Sequence, residues 1–464
     1  MATTLFTNAF VMSCSDQIGD LEQADVLVEG TKIAKVGSGI EASGAEKVDA
    51  SGMILMPGMI DTHSHLWETP FKGRVSEGWG MEYFTNIHPM VSFYTAEDAY
   101  AGIYAGLIES LAAGVTTMFD YNTCIHSPAH ADAAMQAIKD AGIRGVMGYD
   151  LRGKSPHSKP ELAPSEARFD DISRLRSTIG NGKEDLLRLA VCLGDISADT
   201  IDQAIKEIDF SRSVGCMMSW HCNKAGEIEA IADRGKLGPD LLPAHGNYTT
   251  DRDLQLLGEA GGFLTTQPEA ETYAGRRSMS MVARGHRAGV GIALGVDVPV
   301  IMNLGLLPQM RLLHFLQRYM DGAIERHEGQ FPVTRRPGVP TLNPRDIVNF
   351  ATRNGAGSLG IADCVGQIAP GFQADIVLMD TRDFGRAEGD PAGHVVLNSS
   401  SGDIDTVMVA GEFRKRDGKM LGVDLGAIRK AREAARDRVY DRAGEKPGGL
   451  HKTYWPWGEA AQTH

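Results

Sequence analysis

The spacing of apolar residues divides the chain into three stretches. From Ala24 to Gly37 apolar and polar side chains alternate with period two, broken at Glu29-Gly30, which predicts short strands joined by a turn there. The same texture returns near the other end. Ala374-Asp-Ile-Val-Leu-Met-Asp380 and Thr406-Val-Met-Val-Ala-Gly411 read as strands, and Arg416-Asp-Gly-Lys419 reads as a hairpin turn. Between them, short apolar runs at 115–120, 144–149, 187–193, 216–220, 241–244, 262–266 and 291–295 predict strands. Helical periodicity at 96–113, 130–141, 200–208, 251–260 and 279–288 separates those runs. Counting the apolar run that ends at Ile60, this makes eight strands. Eight strand–helix repeats close into an α/β barrel with its site at the strands' C-terminal ends.

The expected fold is therefore a (β/α)8 TIM-type barrel over 56–364. A small β-structure is assembled from both chain ends, 1–55 and 365–424, and a tail of 425–464 follows. Residues 346–359 read as one helix, started at Asn343-Pro344 and stopped by Gly360. In the tail, a charged helix Leu425–Ala443 precedes Lys452-Thr-Tyr-Trp-Pro-Trp457, aromatics dense enough to be expected against the domain or a second subunit. Residues 153–166 read as a loop over the third strand's exit, either a lid or a plain solvated loop.

Charge and cysteine usage narrow the partners. The 464 residues carry 46 basic and 60 acidic side chains, net −14, which disfavours nucleic acid or an anionic membrane as the main partner. Apolar runs stay well short of the roughly 18 residues of a membrane span. No Lys or Arg precedes Lys32, so a secretory signal's basic segment is missing. The six cysteines show no CxxC spacing. A reduced, cytoplasmic protein acting on a small molecule is the expectation.

Candidate chemistry gathers at the strand ends. Leu55-Met-Pro-Gly-Met-Ile-Asp-Thr-His-Ser-His65 ends the first barrel strand, and side chains at i and i+2 of a strand share a face, so His63 and His65 project together with Ser64 turned away. The fifth strand delivers His221, the sixth His245 and the eighth Asp297. Imidazoles and one carboxylate converging on a barrel axis suit zinc or another late divalent metal with a position left open for water. Each residue alone also fits a plainer role, a hydrogen-bonded histidine or a helix-capping aspartate; four strands delivering such residues to one place is what argues for a metal. His286, His314 and His327 fall on helical stretches away from strand exits and read as surface or core.

Pro57-Gly58-Met-Ile-Asp61-Thr-His63-Ser-His65 with His221, His245 and Asp297 resembles the amidohydrolase superfamily. So do Gly114-Val-Thr-Thr-Met-Phe-Asp120, Ala351-Thr-Arg-Asn-Gly-Ala356 and Gly366-Gln-Ile-Ala-Pro-Gly371-Phe-Gln-Ala-Asp375. The resemblance spans nearly the whole chain and points to the cytosine-deaminase-like and triazine-hydrolase-like branch. It implies a composite β-sandwich beside the barrel, metal ligation by His63, His65, His221 and Asp297, and a His245 that faces water or substrate. Two-metal relatives use a lysine of the fourth strand; 187–193 has none, which implies one divalent ion per chain, zinc first, with iron, cobalt or manganese as alternatives. Such an ion brings its bound water's pKa from about 15.7 towards 7. The expected reaction is attack of that hydroxide on a trigonal carbon, Asp297 moving the proton and His245 stabilising developing charge.

One departure bears on the substrate. Deaminases of this branch carry a Glu three residues after the fifth-strand His, and here that position is Lys224, in His221-Cys-Asn-Lys224. With an ordinary pKa of about 10.4 a lysine is a cation at neutral pH. As a catalytic candidate it binds a substrate carbonyl or leaving group, or acts as an acid where burial or the metal depresses its pKa; the plainer role is a pair with Glu227 or Glu269. The seventh strand departs too, with Thr266-Gln-Pro268-Glu-Ala-Glu271-Thr-Tyr273 where a Pro-Ser-Asn pattern is usual. Both changes favour hydrolysis of an amide, urea or carbamate of a small cyclic or aromatic molecule, as in phenylurea and thiocarbamate hydrolases. The alternatives are a deaminase of a purine, pyrimidine, pterin or triazine ring, or a barrel that has become a non-catalytic scaffold. Trp67, Glu68, Trp79, His126, His245 and Glu271 are the candidate substrate contacts; Trp67 and Trp79 fit the core equally well and His126 fits a cap of the next helix, and a homodimer or larger homo-oligomer is the expected assembly.

Overall fold

Alternation at the two chain ends becomes one hydrogen-bonded sheet. A computed structural model describes residues 2–75, 80–152, 165–275, 280–322, 329, 341–382 and 389–445. The first five strands are Thr3–Met12 (β1), Asp20–Glu29 (β2), Lys32–Gly37 (β3), Glu46–Asp49 (β4) and Met53–Pro57 (β5). The barrel strands are Met59–Ser64 (β6), Val115–Asn122 (β7), Arg144–Asp150 (β8), Leu187–Cys192 (β9), Met217–Cys222 (β10), Leu241–His245 (β11), Phe263–Thr266 (β12) and Gly291–Leu294 (β13). Ile376–Asp380 (β14), Ile404–Val409 (β15), Glu412–Arg416 (β16) and Lys419–Met420 (β17) return to the first sheet. Its order is β17-β16-β15-β14-β5-β1-β2-β3, with β4 beside β1.

The antiparallel pairing of β14 with β5 joins the two chain ends. Phe6, Val11, Val26, Leu55, Ile376 and Met408 form the core beneath it. The hairpin at Arg416-Asp-Gly-Lys419 forms as expected: Asp417 and Gly418 have φ of 48° and 71°, the left-handed pair of a two-residue turn whose twist matches its strands. The β2–β3 turn sits one residue later than its sequence suggests. Glu29 still pairs with Lys32, and Gly30 (φ 61°) and Thr31 make the turn.

The barrel strands pair in parallel and in chain order from β6 to β13. Closure comes from two backbone hydrogen bonds, which together make one parallel bridge, and from side chains beside them. Asp297 N–H donates to His63 O and His65 N–H to Asp297 O, each at 2.8 Å, and the two strand ends form a parallel bridge at Ser64 and Asp297. Thr62 Oγ1 donates to Leu294 O at 2.9 Å. Gly295 permits this approach, because a Cβ there would lie 2.7 Å from His63 O and 2.8 Å from His63 N.

The helices Ala96–Ala112 and Asp251–Glu259 both open with reciprocal caps, Thr95 with Asp98 and Thr250 with Asp253. Two differences from the sequence reading have local causes. Residues 346–359 are not one helix but Pro344–Phe350 and Arg353–Ser358. Thr352 (φ −128°, ψ −96°) breaks the run while its hydroxyl bonds back to Val348 O at 2.8 Å. Helices at Glu227–Asp233 and Pro268–Tyr273 were not anticipated, being too short to show a period. Of residues 153–166, the described part begins with the helix Ser165–Thr178; Trp79, His327 and 452–457 lie outside the described residues. No described helix is long and apolar enough to cross a membrane.

One buried ion pair ties the barrel floor to the sheet. Arg144, the first residue of β8, donates from Nε to Asp375 Oδ2 at 2.8 Å and from Nη2 to Oδ1 at 3.2 Å, with both side chains buried. Asp375 also accepts Ala410 N–H at 2.8 Å. Removing one member leaves a buried charge unpaired, which typically costs about 3–5 kcal/mol. Asp375→Ala is expected to lower stability by about that much, read as a fall in the urea midpoint, with Arg144→Met/Asp375→Ala recovering part of the loss.

Candidate active site

Five donor side chains meet where the barrel closes. His63 and His65 both reach the Asp297 carboxylate, Nε2 to Oδ1 at 3.4 and 3.2 Å. His65 Nε2 and His221 Nε2 lie 3.3 Å apart. Ligand atoms of His63, His221, His245 and Asp297 all fall within 4.8 Å of one another. The i, i+2 expectation for the histidine pair holds, although β6 is bulged: Asp61 pairs with Met118 and Ser64 with Asp120, so three steps on β6 match two on β7. Ser64 turns away and donates to Asp61 Oδ2 at 2.8 Å.

This donor set fits a divalent cation. His65 Nδ1 faces Tyr121 O at 2.7 Å and must donate to it, leaving a lone pair on Nε2. A second imidazole nitrogen 3.3 Å away calls for something electropositive shared with it. His63 is buried, and neither of its ring nitrogens has a hydrogen-bond partner. Burial holds the His63 pKa down to about 3 against the pull of Asp297. Burial, Arg152 and the neighbouring histidines push His221 well below its usual range. Neutral imidazoles are the form that ligates metal. Burial alone would raise the Asp297 carboxyl, but His245, His63 and His65 hold it well below the usual range.

The backbone is held out of its preferred regions at two of these positions. His245 (φ 70°) and Asp297 (φ 79°) both adopt the left-handed conformation, which costs about 1–3 kcal/mol for a non-glycine residue. Asp297 is kept there by the closure bonds. The turn after His245 is held by Gly246 N–H on Cys222 O at 3.2 Å.

Three buried carboxyls surround the histidines without joining the cluster. Asp61 accepts the N–H of His63 at 3.0 Å and of Val296 at 3.4 Å, and burial raises its pKa to about 7 against those bonds. Asp120, also raised by burial to about 7, accepts Leu66 N–H at 3.1 Å and Asn122 Nδ2–H at 3.2 Å. Glu68 takes a hydrogen bond from Tyr83 Oη, and burial raises it to about 8. Tyr121, which the sequence reading passed over, packs its ring against His63 and His221 with centroids 5.0 and 4.4 Å away. Its place near the C-terminal end of β7 is the cue the sequence offered.

The expected substrate contacts divide. Trp67 is fully buried, its indole N–H on Thr123 Oγ1 at 2.9 Å, so it belongs to the core. His126 is turned away onto Val91 O and against the His130 ring, a brace between segments. Glu271 is buried behind His245, its carboxylate 3.5 Å from His245 Nδ1. Lys224 is exposed in the turn after β10, close enough to Glu227 to lower that carboxyl's pKa without forming an ion pair with it among the described residues. His286 is exposed and His314 buried, each on a helix away from the site.

A parallel barrel with histidines and an aspartate converging at its closing seam defines a metal-dependent hydrolase. The chain belongs to the amidohydrolase family, whose profile matches residues 54–414. It is a hydrolase of carbon–nitrogen bonds other than peptide bonds. Among its relatives, a 5′-deoxyadenosine deaminase of Methanothermobacter thermautotrophicus is 27% identical over 442 residues, 90% of this chain and 95% of that protein. A 5-methylthioadenosine/S-adenosylhomocysteine deaminase of Symbiobacterium thermophilum is 30% identical over 433 residues, 88% of this chain and 92% of that one. Among solved structures, atrazine chlorohydrolase TrzN of Arthrobacter aurescens complexed with zinc superposes with a TM-score of 0.80 at 20% identity, covering 93% of this chain and all of that one. An adenosine deaminase of Xanthomonas campestris with bound zinc gives 0.80 at 18% identity over 95% and 99% of the two chains.

Metal content after dialysis is expected near one equivalent per chain. His63→Ala or His221→Ala should weaken metal affinity by more than about 100-fold, since loss of an outer partner alone typically costs 10–100-fold. A second test concerns Glu227, which accepts at 2.9 Å the indole N–H of Trp220, the residue before His221. Burial raises its pKa to about 7 from 4.5, so the fold favours the protonated acid. That contribution is intact below pH 4.5 and is lost as pH rises through 7. Glu227→Gln keeps an acceptor for Trp220 and removes the titration. Its denaturation stability should gain on wild type by up to about 3 kcal/mol between pH 4.5 and 8.

Proposed function

We propose that this protein hydrolyses an amide, urea or carbamate bond of a small cyclic or aromatic molecule. The observation that carries this reading is Lys224, three residues past His221, where deaminases of the branch place a glutamate. Its side chain is exposed at the barrel mouth, available to a substrate oxygen but unable to relay protons as a carboxylic acid does.

In this reading His63, His65, His221 and Asp297 hold one divalent ion, zinc by analogy with the solved structures above. When bound, the ion supplies Lewis acidity and an acidified water. Asp297 takes the proton of the attacking water and passes it to the leaving nitrogen, which departs as an amine. With a hydrogen on both ring nitrogens, His245 donates from Nε2 to the oxygen on which negative charge develops. Lys224 hydrogen-bonds the substrate carbonyl or the leaving group. The protein acts in the cytoplasm, consistent with six buried cysteines that form no disulfide, and as a homodimer or larger homo-oligomer.

A second reading has its own support. The curated relatives described above are deaminases of adenine nucleosides along about nine-tenths of the chain, which favours amine release from an aminopurine. A panel of amides, ureas, carbamates, 5′-deoxyadenosine, S-adenosylhomocysteine, cytosine and guanine separates the two, assayed with metal-loaded wild type and Lys224→Glu. Wild type is expected to turn over the first three classes and release no ammonia from the others. Lys224→Glu should lose at least about 10-fold in kcat/KM, the loss of one charged contact. Ammonia from any of the four bases or nucleosides with the wild-type enzyme would overturn the first reading in favour of the second.

A further inference from the structure

Glu271 sits in the first turn after β12 and is buried at 1% exposure. A carboxylate is an acceptor with about four lone-pair directions. Gln267 N–H takes one on Oε1 at 2.9 Å, and Asn247 Nδ2–H takes one on Oε2 at 3.0 Å. The Thr266 hydroxyl lies 3.1 and 3.0 Å from the two oxygens. All three partners are donors, which leaves one direction unused. The remaining neighbour is His245 Nδ1, 3.5 Å from Oε1, a buried nitrogen with no hydrogen bond of its own. On the opposite side of that ring, Nε2 faces Asp297 Oδ2 at 3.9 Å.

We infer that Glu271 is a positioning residue for His245: it accepts the Nδ1 hydrogen and so fixes Nε2 as the atom that meets the reacting group. An acceptor surrounded by donors can only accept, so the proton on the imidazole must be at Nδ1. The ring then carries either a lone pair or a hydrogen on Nε2, and in both states its chemistry points at the metal centre. The strained backbone of His245 supports the need for such a brace, because at φ 70° this last residue of β11 leaves the extended geometry that sets side-chain direction along the rest of the strand. The brace comes from the next strand of the barrel, so the sixth and seventh strands share one polar network. A separation of 3.5 Å is long for a hydrogen bond, and catalytic hydrogen bonds commonly tighten when substrate is bound. Glu271 then acts on the reacting group only through His245.

This inference rests on His245 acting at the reacting side, as proposed above, and its first readout needs no substrate. Zinc-loaded enzyme labelled with 15N-histidine reports the tautomer of each ring, and the His245 signals are those lost in His245→Gln. Wild type is expected to show the Nδ1–H form. Glu271→Met removes the acceptor and should give a mixture of tautomers, with kcat lowered about 10–100-fold and KM within about twofold. Glu271→Gln can keep an oxygen at the Oε1 position, with the Asn247 amide turned over to accept, and should retain the tautomer and most of kcat. An Nε2–H form in wild type overturns the inference whether or not the Met variant folds. So does an unchanged tautomer in a folded Glu271→Met, or a change confined to KM. If wild type turns over no carbon–nitrogen substrate, the functional reading falls while the spectra still decide the role of Glu271.

Discussion

The seam between β6 and β13 is the constraint on which the rest depends. A barrel must bring its last strand back to its first, and here the closing bonds run between His63, His65 and Asp297 themselves, two N–H···O contacts of 2.8 Å. The residues that close the fold are the residues whose side chains converge on one axial point. Gly295 has no side chain because one would strike the backbone of His63. Asp297 pays for its place with a left-handed backbone, and the two closure bonds hold it there. Metal-site geometry and barrel closure are one structural fact, so loosening either loosens the other.

Around that seam the protein buries carboxyl groups and uses them as fixed acceptors. Asp61 gathers the N–H groups of His63 and Val296, one on each side of the seam, and Asp120 holds Leu66, the residue after His65. Tyr121 O fixes the His65 ring from the same strand as Asp120. Each group holds a residue of the histidine–aspartate cluster or its immediate neighbour without joining the cluster, the arrangement that preorganises a polar site in a low-dielectric interior. Burial keeps His63 neutral because it costs a cation more than Asp297 returns, and burial with Arg152 and the neighbouring histidines holds His221 neutral.

Much of this was legible in the sequence where chemistry repeats at a fixed place. Eight strand ends could be counted from apolar runs, and His63, His65, His221, His245 and Asp297 stood at those ends because a barrel presents its strands' C-termini on one face. The helix Leu425–Ala443 and the hairpin at Asp417-Gly418 formed where composition placed them. Less legible were side chains whose placement depends on rotamer and neighbour. Trp67 and His126 come three and four residues after β6 and β7 end, and one packs in the core while the other braces Val91. Sequence position brings a residue to the mouth of the barrel; a hydrogen-bond partner elsewhere can turn it away. Short helices such as Pro268–Tyr273 were invisible because fewer than two turns show no period.

The division of labour between strand and turn separates the metal-ligating positions from those open to variation with substrate. His221 ends β10 inside a ladder that pairs it with Ala244 of β11, so its place follows from the barrel. Lys224, three residues on, lies in a turn with an exposed side chain, where a change of residue type costs the fold little. A glutamate there would add a proton carrier beside the centre; a lysine adds a fixed cation, and it can do so without moving any ligand. Chemistry common to a family is therefore carried by buried strand ends whose geometry cannot drift, while the choice of substrate is left to turns that can.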